Sequence, residues 1–365
     1  MEPIQSRSNQ SASSGPFHSI REKSPTARYL SYGPGAISAT AAHAQDCYGQ
    51  GKLVAVMDTG VFGTHAYLSD NYSGPDGFKS FYGETSNVPT DPNGHGTHCA
   101  GIAVGKSDLG VAPGAMWMAG RVCDVDGKCS TTAMASCCDW LTCAGAPEGT
   151  PCKVPDVLTC SIGGIDFLSI VGSSDPFMAE CLKYLRAVGT FSVFAIGNCQ
   201  PGLLPNEPHC VQASYPGSSK SAFGVGCTNQ ADKVCSFSCE GSPSDPILGQ
   251  TAKPNVYAPG ENIVSAWNTA TTALRTLSGT SMSTPHVAGA AAVVMSAIPG
   301  PYTVDDVERF LCKGSDPKCG PCALLSASCG CGRINVGRSL ELVKAEYGSL
   351  KCGSTTSLIA HETGQ

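Results

Sequence analysis

Apolar runs of strand length recur along the chain, and several close on a polar or turn residue. Leu53-Val-Ala-Val-Met57 runs into Asp58-Thr-Gly60, Phe191-Ser-Val-Phe-Ala-Ile196 runs into Gly197-Asn198, and Met116 to Val122 and Val154 to Cys160 form two more. Near-continuous runs of this kind predict strands buried on both faces. Helical patterns lie between them, and that alternation predicts βαβ units in a parallel sheet. The expected class is α/β, in three layers, with a central, mostly parallel twisted sheet flanked by helices. In open sheets of this kind ligands bind outside the carboxyl ends of the strands. Asp58 and Asn198 lie at two such ends.

The pattern also divides the chain. Residues 1–26 are rich in Ser, Pro, Gln and Arg without apolar periodicity and predict a flexible arm or prosegment remnant. A single domain is expected over 27–346. Within it, Pro299-Gly-Pro301 separates a small-residue helix after Ser281 from an amphipathic helix over Val304 to Cys312. Gly332 to Gly337 leads into a last helix ending near Glu346. Residues 347–365 are polar and predict a loose tail.

Composition narrows the class. Charged residues make up 14% of the 365, well below the usual quarter, beside 43 glycines. That suits a loop-rich enzyme better than a disordered chain. A net charge of −6 without basic clusters argues against nucleic acid as a partner. No stretch approaches the roughly 18 apolar residues that span a bilayer.

The 21 cysteines concentrate in loops and point to disulfides formed in an oxidising compartment, so the expected location is secreted or in the secretory-pathway lumen. A zinc site is the competing reading, since Cys319-Gly-Pro-Cys322 has Cys312, Cys329 and Cys331 near it. Met1 to Thr26 has no apolar core of a cleavable signal, so a processed or truncated form is expected.

Candidate chemistry rests on three segments. Gly279-Thr-Ser-Met-Ser-Thr-Pro-His-Val-Ala-Gly289 sets Ser281 at the turn between a small-residue loop and a helix. A hydroxyl there needs a base to become a nucleophile. Asn93-Gly-His-Gly-Thr-His-Cys-Ala-Gly101 supplies His95, and the first apolar run supplies Asp58. A side-chain amide aimed at a developing oxyanion stabilises acyl transfer, and Asn198 suits that role. Together these segments resemble the subtilisin-like serine proteases, the subtilase family, whose triad follows the order Asp, His, Ser. The resemblance implies the subtilisin-like fold, Asp58, His95 and Ser281 as the triad, and Asn198 as oxyanion donor.

The resemblance carries further expectations. Ser161, Ile162, Gly163 and Gly164 look like the stretch that pairs with substrate backbone, and Ala195, Gly197 and Ser214 look like other walls of the primary pocket. Cys199, in place of an acidic residue after Asn198, goes with apolar or aromatic side chains before the cut. Substrates are expected to be polypeptides, with an inhibitory prosegment or protein inhibitor as a further partner, and the chain to be a monomer. No cofactor is expected to be required. Tyr67 stands where the bacterial subtilisin pattern often has a calcium-ligating aspartate, and the loop from Ala103 to Gly110 is short. Asn255 is left as a contributor to a weak calcium site through its amide oxygen. The segment around His95 resembles the proteinase K branch, which implies that Cys99, one helical turn from His95, is unpaired; the other 20 cysteines could then form up to ten bridges. Two other readings remain open: a catalytically inactive subtilase scaffold that binds peptides, and a Cys-rich metal-binding module.

Overall fold

Alternation of side chains along β1, Leu53–Asp58, divides the interior in two. Val54 and Val56 point into one apolar cluster, and Ala55 and Met57 into the other. Strand side chains alternate between faces, so a strand that is apolar throughout must be covered twice. The computed structural model describes residues 30–83, 86–144, 152–163, 176–199, 213–240, 253–318 and 330–352.

Seven parallel strands form the sheet, in the order β2-β3-β1-β4-β5-β6-β7. They are β2 (Phe78–Ser80), β3 (Met116–Arg121), β4 (Val157–Cys160), β5 (Phe191–Ala195), β6 (Phe223–Thr228) and β7 (Val256–Pro259) around β1. Asp58 pairs in register with Arg121, and Cys160 with Phe194. A separate antiparallel hairpin joins β8 (Ile263–Ala266) to β9 (Leu274–Leu277). After two short helices, α1 (Gly33–Ala36) and α2 (Ala39–His43), the longer helices are α3 (His95–Val104), α4 (Thr131–Thr142), α5 (Pro176–Ala187), α6 (Thr280–Ala297), α7 (Val304–Gly314) and α8 (Val336–Tyr347). Residues of α3, α6, α7 and α8 join the larger cluster, and residues of α4 and α5 the smaller one. The sheet is thus flanked by helices on both sides, as the sequence pattern predicts.

The α6 helix explains its own composition. It is buried along nearly its whole length, and its run of Ala and Gly lets α3 and the sheet approach closely. A Cβ on Gly289 would stand 2.6 Å from Val111 Cβ and 2.8 Å from Ala103 O. Only glycine fits there.

Several expectations shift in detail. The strand expected from Val154 begins at Val157. Pro155 has no N–H for a ladder, and the Asp156 carboxylate accepts from Lys52 Nζ at 3.0 Å and Leu53 N at 2.9 Å instead. The tail expected to be loose from 347 is held through Cys352, which is bonded to Cys47, and by Lys351 N donating to Ala297 O at 2.8 Å. The expected arm at 1–26 lies outside the described residues.

Seven disulfides join described cysteines: Cys47–Cys352, Cys123–Cys129, Cys138–Cys181, Cys143–Cys152, Cys199–Cys239, Cys227–Cys235 and Cys312–Cys331. Cys99 is unpaired, as are Cys137 and Cys160, all three buried. The upper limit of ten bridges therefore falls to nine, because Cys137 and Cys160 are packed as small apolar residues in the smaller cluster. Cys312 and Cys331 are bonded to each other, which removes two of the thiolates considered for zinc. Cys319, Cys322 and Cys329 lie outside the described residues.

Candidate active site

Asp58 ends β1 with its side chain buried, 1% exposed. Its Oδ1 accepts from Thr59 N at 2.7 Å and lies 2.8 Å from His95 Nδ1. His95 is the first residue of α3, set there by Gly94, whose φ of 106° and whose closeness to Trp267, 2.7 Å from an added Cβ, both demand glycine. The ring is 27% exposed, so one edge faces the rim while the other faces Asp58. Burial pushes the His95 pKa down, but the Asp58 charge and hydrogen bond outweigh it and hold the pKa well above 6.5. The second histidine of the motif goes elsewhere: buried His98 donates from Nε2 to Arg275 O at 2.9 Å, and burial lowers its pKa to about 3.

Ser281 enters α6 in the second position, and the proline four residues on shapes its surroundings. Pro285 has no N–H to donate to the Ser281 carbonyl. That carbonyl accepts instead from Ser161 Oγ at 2.8 Å and from Cys99 Sγ at 3.6 Å. Cys99 Sγ is also 3.9 Å from His95 Nδ1. One sulfur thus touches both the histidine and the serine segment. Ser281 Oγ donates to Ser161 O at 3.0 Å, so Ser161, at the end of β4, grips Ser281 twice. Burial raises the Cys99 pKa, with the His95 charge opposing, so the thiol keeps its proton at neutral pH.

Asn198 follows β5 and is held by Thr280, whose N–H and hydroxyl donate to its Oδ1 at 2.8 and 2.9 Å. With the oxygen so engaged, the amide NH₂ faces the other way. A Cβ added at Gly279 would sit 3.2 Å from Asn198 Nδ2 and 3.6 Å from Ser281 N. Two N–H donors therefore border one small space that Gly279 leaves open. The Cys199–Cys239 bridge and the Cys239 N to Gly197 O bond, 3.1 Å, fasten the next residues.

Of the residues expected to wall the pocket, Gly163, Ala195, Gly197 and Ser214 lie against one another. A Cβ on Gly163 would stand 3.5 Å from Gly197 Cα and 3.7 Å from Ala195 O, and one on Gly197 would stand 2.3 Å from Ser214 Oγ. Ser214 N donates to Ile196 O at 2.8 Å. Ile162 packs against the smaller core cluster, and Gly164 lies outside the described residues. Near the calcium position considered from sequence, Tyr67 stacks on His65 at 5.6 Å and its carbonyl accepts from Lys106 N.

Asp91 was not singled out by the sequence, yet it fastens the site. Its Oδ1 accepts from Thr59 Oγ1, Asn93 N and Gly94 N at 2.9, 3.1 and 2.8 Å, and its Oδ2 from Thr97 N and Oγ1 at 2.9 and 2.6 Å. The buried carboxylate caps α3 and ties it to the residue after Asp58. A carboxylate four residues before His95, in a Pro-Asn-Gly turn, was the available signal.

The class of the protein, a serine-type endopeptidase, follows from its family and relatives. The subtilase family model matches residues 49–332, and the chain belongs to that family. Thermitase from Thermoactinomyces vulgaris is 35% identical over 270 residues, 73% of this chain and 82% of thermitase. Proteinase T from Parengyodontium album is 32% identical, over 72% of this chain and 76% of its own length. A cuticle-degrading serine protease from Arthrobotrys oligospora is 31% identical, over 71% of this chain and 56% of its own.

Proposed function

We propose that the chain hydrolyses peptide bonds through an acyl-enzyme, with Asp58, His95 and Ser281 as the triad. The carrying observation is the 2.8 Å Asp58–His95 pair, against which Cys99 packs the Ser281 segment. On substrate binding the Ser281 hydroxyl turns from Ser161 O toward His95. Its oxygen bonds to the peptide carbon while His95 takes its proton. The oxyanion is held by Asn198 Nδ2 and Ser281 N. Collapse breaks the C–N bond, His95 gives its proton to the leaving amine, and water repeats the sequence to free the acid.

Polypeptides are the substrates, bound along Ser161, Ile162, Gly163 and Gly164, with Ala195, Gly197 and Ser214 lining a pocket for apolar or aromatic side chains. A prosegment or protein inhibitor would occupy the same cleft. The seven bridges and a 33% identical relative named extracellular serine proteinase, from Thermus sp., support secretion. Among the described residues no helix is long and apolar enough to cross a membrane.

The test is labelling by a fluorophosphonate, which needs nucleophile, base and oxyanion site together. One label per chain, mapped to Ser281 and lost in Ser281→Ala, is expected, with casein hydrolysis falling by about 10⁶-fold. Asn198→Ala should lower kcat by about 10²–10³-fold with little change in KM. A folded chain that takes no label would overturn the triad assignment.

A further inference from the structure

The Asn255 amide, which the sequence offers to a weakly bound calcium ion, faces a different cation. Asn255 stands just before β7, and its Oδ1 accepts from Gly224 N at 2.8 Å and from Lys253 Nζ at 2.9 Å. An amide oxygen has two lone pairs, and both are taken. The same ammonium donates to Ala222 O at 2.6 Å, and Lys253 is only 2% exposed. Calcium wants about six to eight oxygens, with affinity set by the charge among them. Here one carbonyl and one amide oxygen accept from a charge that is already present, and among the described residues no carboxylate bonds to it. These residues do not fit a calcium ion while Lys253 is in place.

A buried ammonium without a bonded carboxylate is costly. Burial pushes the Lys253 pKa down to about 7, against the more distant Glu308 charge. Such a group is retained where its contacts organise something. Ala222 lies at the end of the pocket-wall loop, just before β6. That loop holds Ser214 against Ile196 O, and a Cβ on Gly217 would stand 2.3 Å from Ala195 O. Asn255 leads into the next strand, and its N–H also donates to Gly224 O at 2.8 Å. The ammonium therefore clamps the base of the pocket-wall loop to the β6–β7 ladder through two oxygens from different segments.

We propose that Lys253 is a tethered cation: its ammonium holds the oxygens that would otherwise receive a free metal ion, and so orders residues 213–222 without calcium. A cation carried on the chain pays no translational cost on binding and cannot be removed by a chelator. Lysine and a metal ion compete for the same acceptors here, so removing the first should create a need for the second.

The experiment is thermal unfolding of the full chain, blocked with fluorophosphonate or, should it take no label, untreated. It is run at about pH 6, where the Lys253 amine is mostly protonated, in chelator and in about 10 mM calcium, above the range of weak extracellular sites. In chelator, Lys253→Ala should unfold several degrees below the unaltered protein. Calcium should then raise its midpoint by clearly more than it raises that of the unaltered protein. A calcium response in the variant no larger than in the unaltered protein would overturn the proposal. Hydrogen exchange of the unaltered protein serves if the variant does not accumulate. Amides 213–224 should exchange alike with and without calcium, and calcium-dependent protection there would mean that the ion, not the ammonium, holds the loop.

Discussion

At the scale of single residues, the proposed mechanism makes the electrostatics around His95 decide the pH range of activity. Burial alone would favour the neutral imidazole, yet the Asp58 carboxylate at 2.8 Å reverses that and raises the pKa well above 6.5. The base must be neutral to take a proton, so kcat/KM should rise with pH on a limb whose midpoint lies above 6.5. Asp58→Asn removes the charge but leaves the burial. The limb should then move below 6.5, with turnover down by about 10⁴-fold. A limb that stays put in the variant would show that Asp58 does not set the pKa. The sign for stability is separate: a raised folded pKa contributes stability that is full below the unfolded value of about 6.5 and fades as pH rises through the folded one. Asp58→Asn should therefore destabilise the protein most at acid pH. These residues were legible in sequence because each ends an apolar run or opens a helix. Ser161 was read as a wall for substrate, and its second task, gripping Ser281 at both hydroxyl and carbonyl, depends on Pro285 freeing that carbonyl, which no local pattern announces.

Secondary-structure elements were legible where their apolar faces are continuous. The strands β1, β3, β4 and β5, with α7 and α8, match runs that the sequence displays. The β6 strand, Phe223-Gly-Val-Gly-Cys-Thr228, escaped because glycine argues against a strand interior. Packing requires both glycines: an added Cβ would stand 2.5 Å from Gly217 O at Gly224 and 2.6 Å from the Tyr257 ring at Gly226. Helix α3 was legible, but its anchor was not, since Asp91 acts across 32 residues on Thr59 as well as locally on Gly94 and Thr97. Thr59 Oγ1 accepts in turn from Gly96 N, and Thr97 Oγ1 from Phe62 N, both at 2.9 Å. Loosening this knot should let α3 drift relative to β1 and spoil the His95 geometry. Asp91→Asn, which cannot accept all five donors, should lower kcat by about 10–100-fold with a smaller change in KM. Asp91→Ala should do so more severely and cost on the order of 2 kcal/mol in stability through the lost cap. Normal turnover in a destabilised Asp91→Asn would restrict Asp91 to holding the fold.

For the molecule as a whole, the cysteines matter by the length of chain they close. Cys47–Cys352 spans 305 residues and ties the segment before β1 to the segment after α8, where Lys351 also bonds to the last turn of α6. Cys123–Cys129 spans six. A bridge stabilises mainly by restricting the unfolded chain, and the entropy model gives about 6 kcal/mol for a loop of some three hundred residues against about 2 kcal/mol for a very short one. The long figure is an upper bound here, because nested bridges such as Cys138–Cys181 already shorten the unfolded chain. The ranking survives that correction. Cys352→Ala paired with Cys47→Ala should shorten the half-life at elevated temperature far more than the matching pair at 123 and 129, measured in the fluorophosphonate-blocked protein so that self-digestion does not set the rate. Reducing agent should act on the unaltered protein in the same direction as the first pair, whereas chelator should leave most of its thermal resistance. Equal losses from the two pairs would mean that local geometry, and not chain closure, governs how these bridges hold the fold.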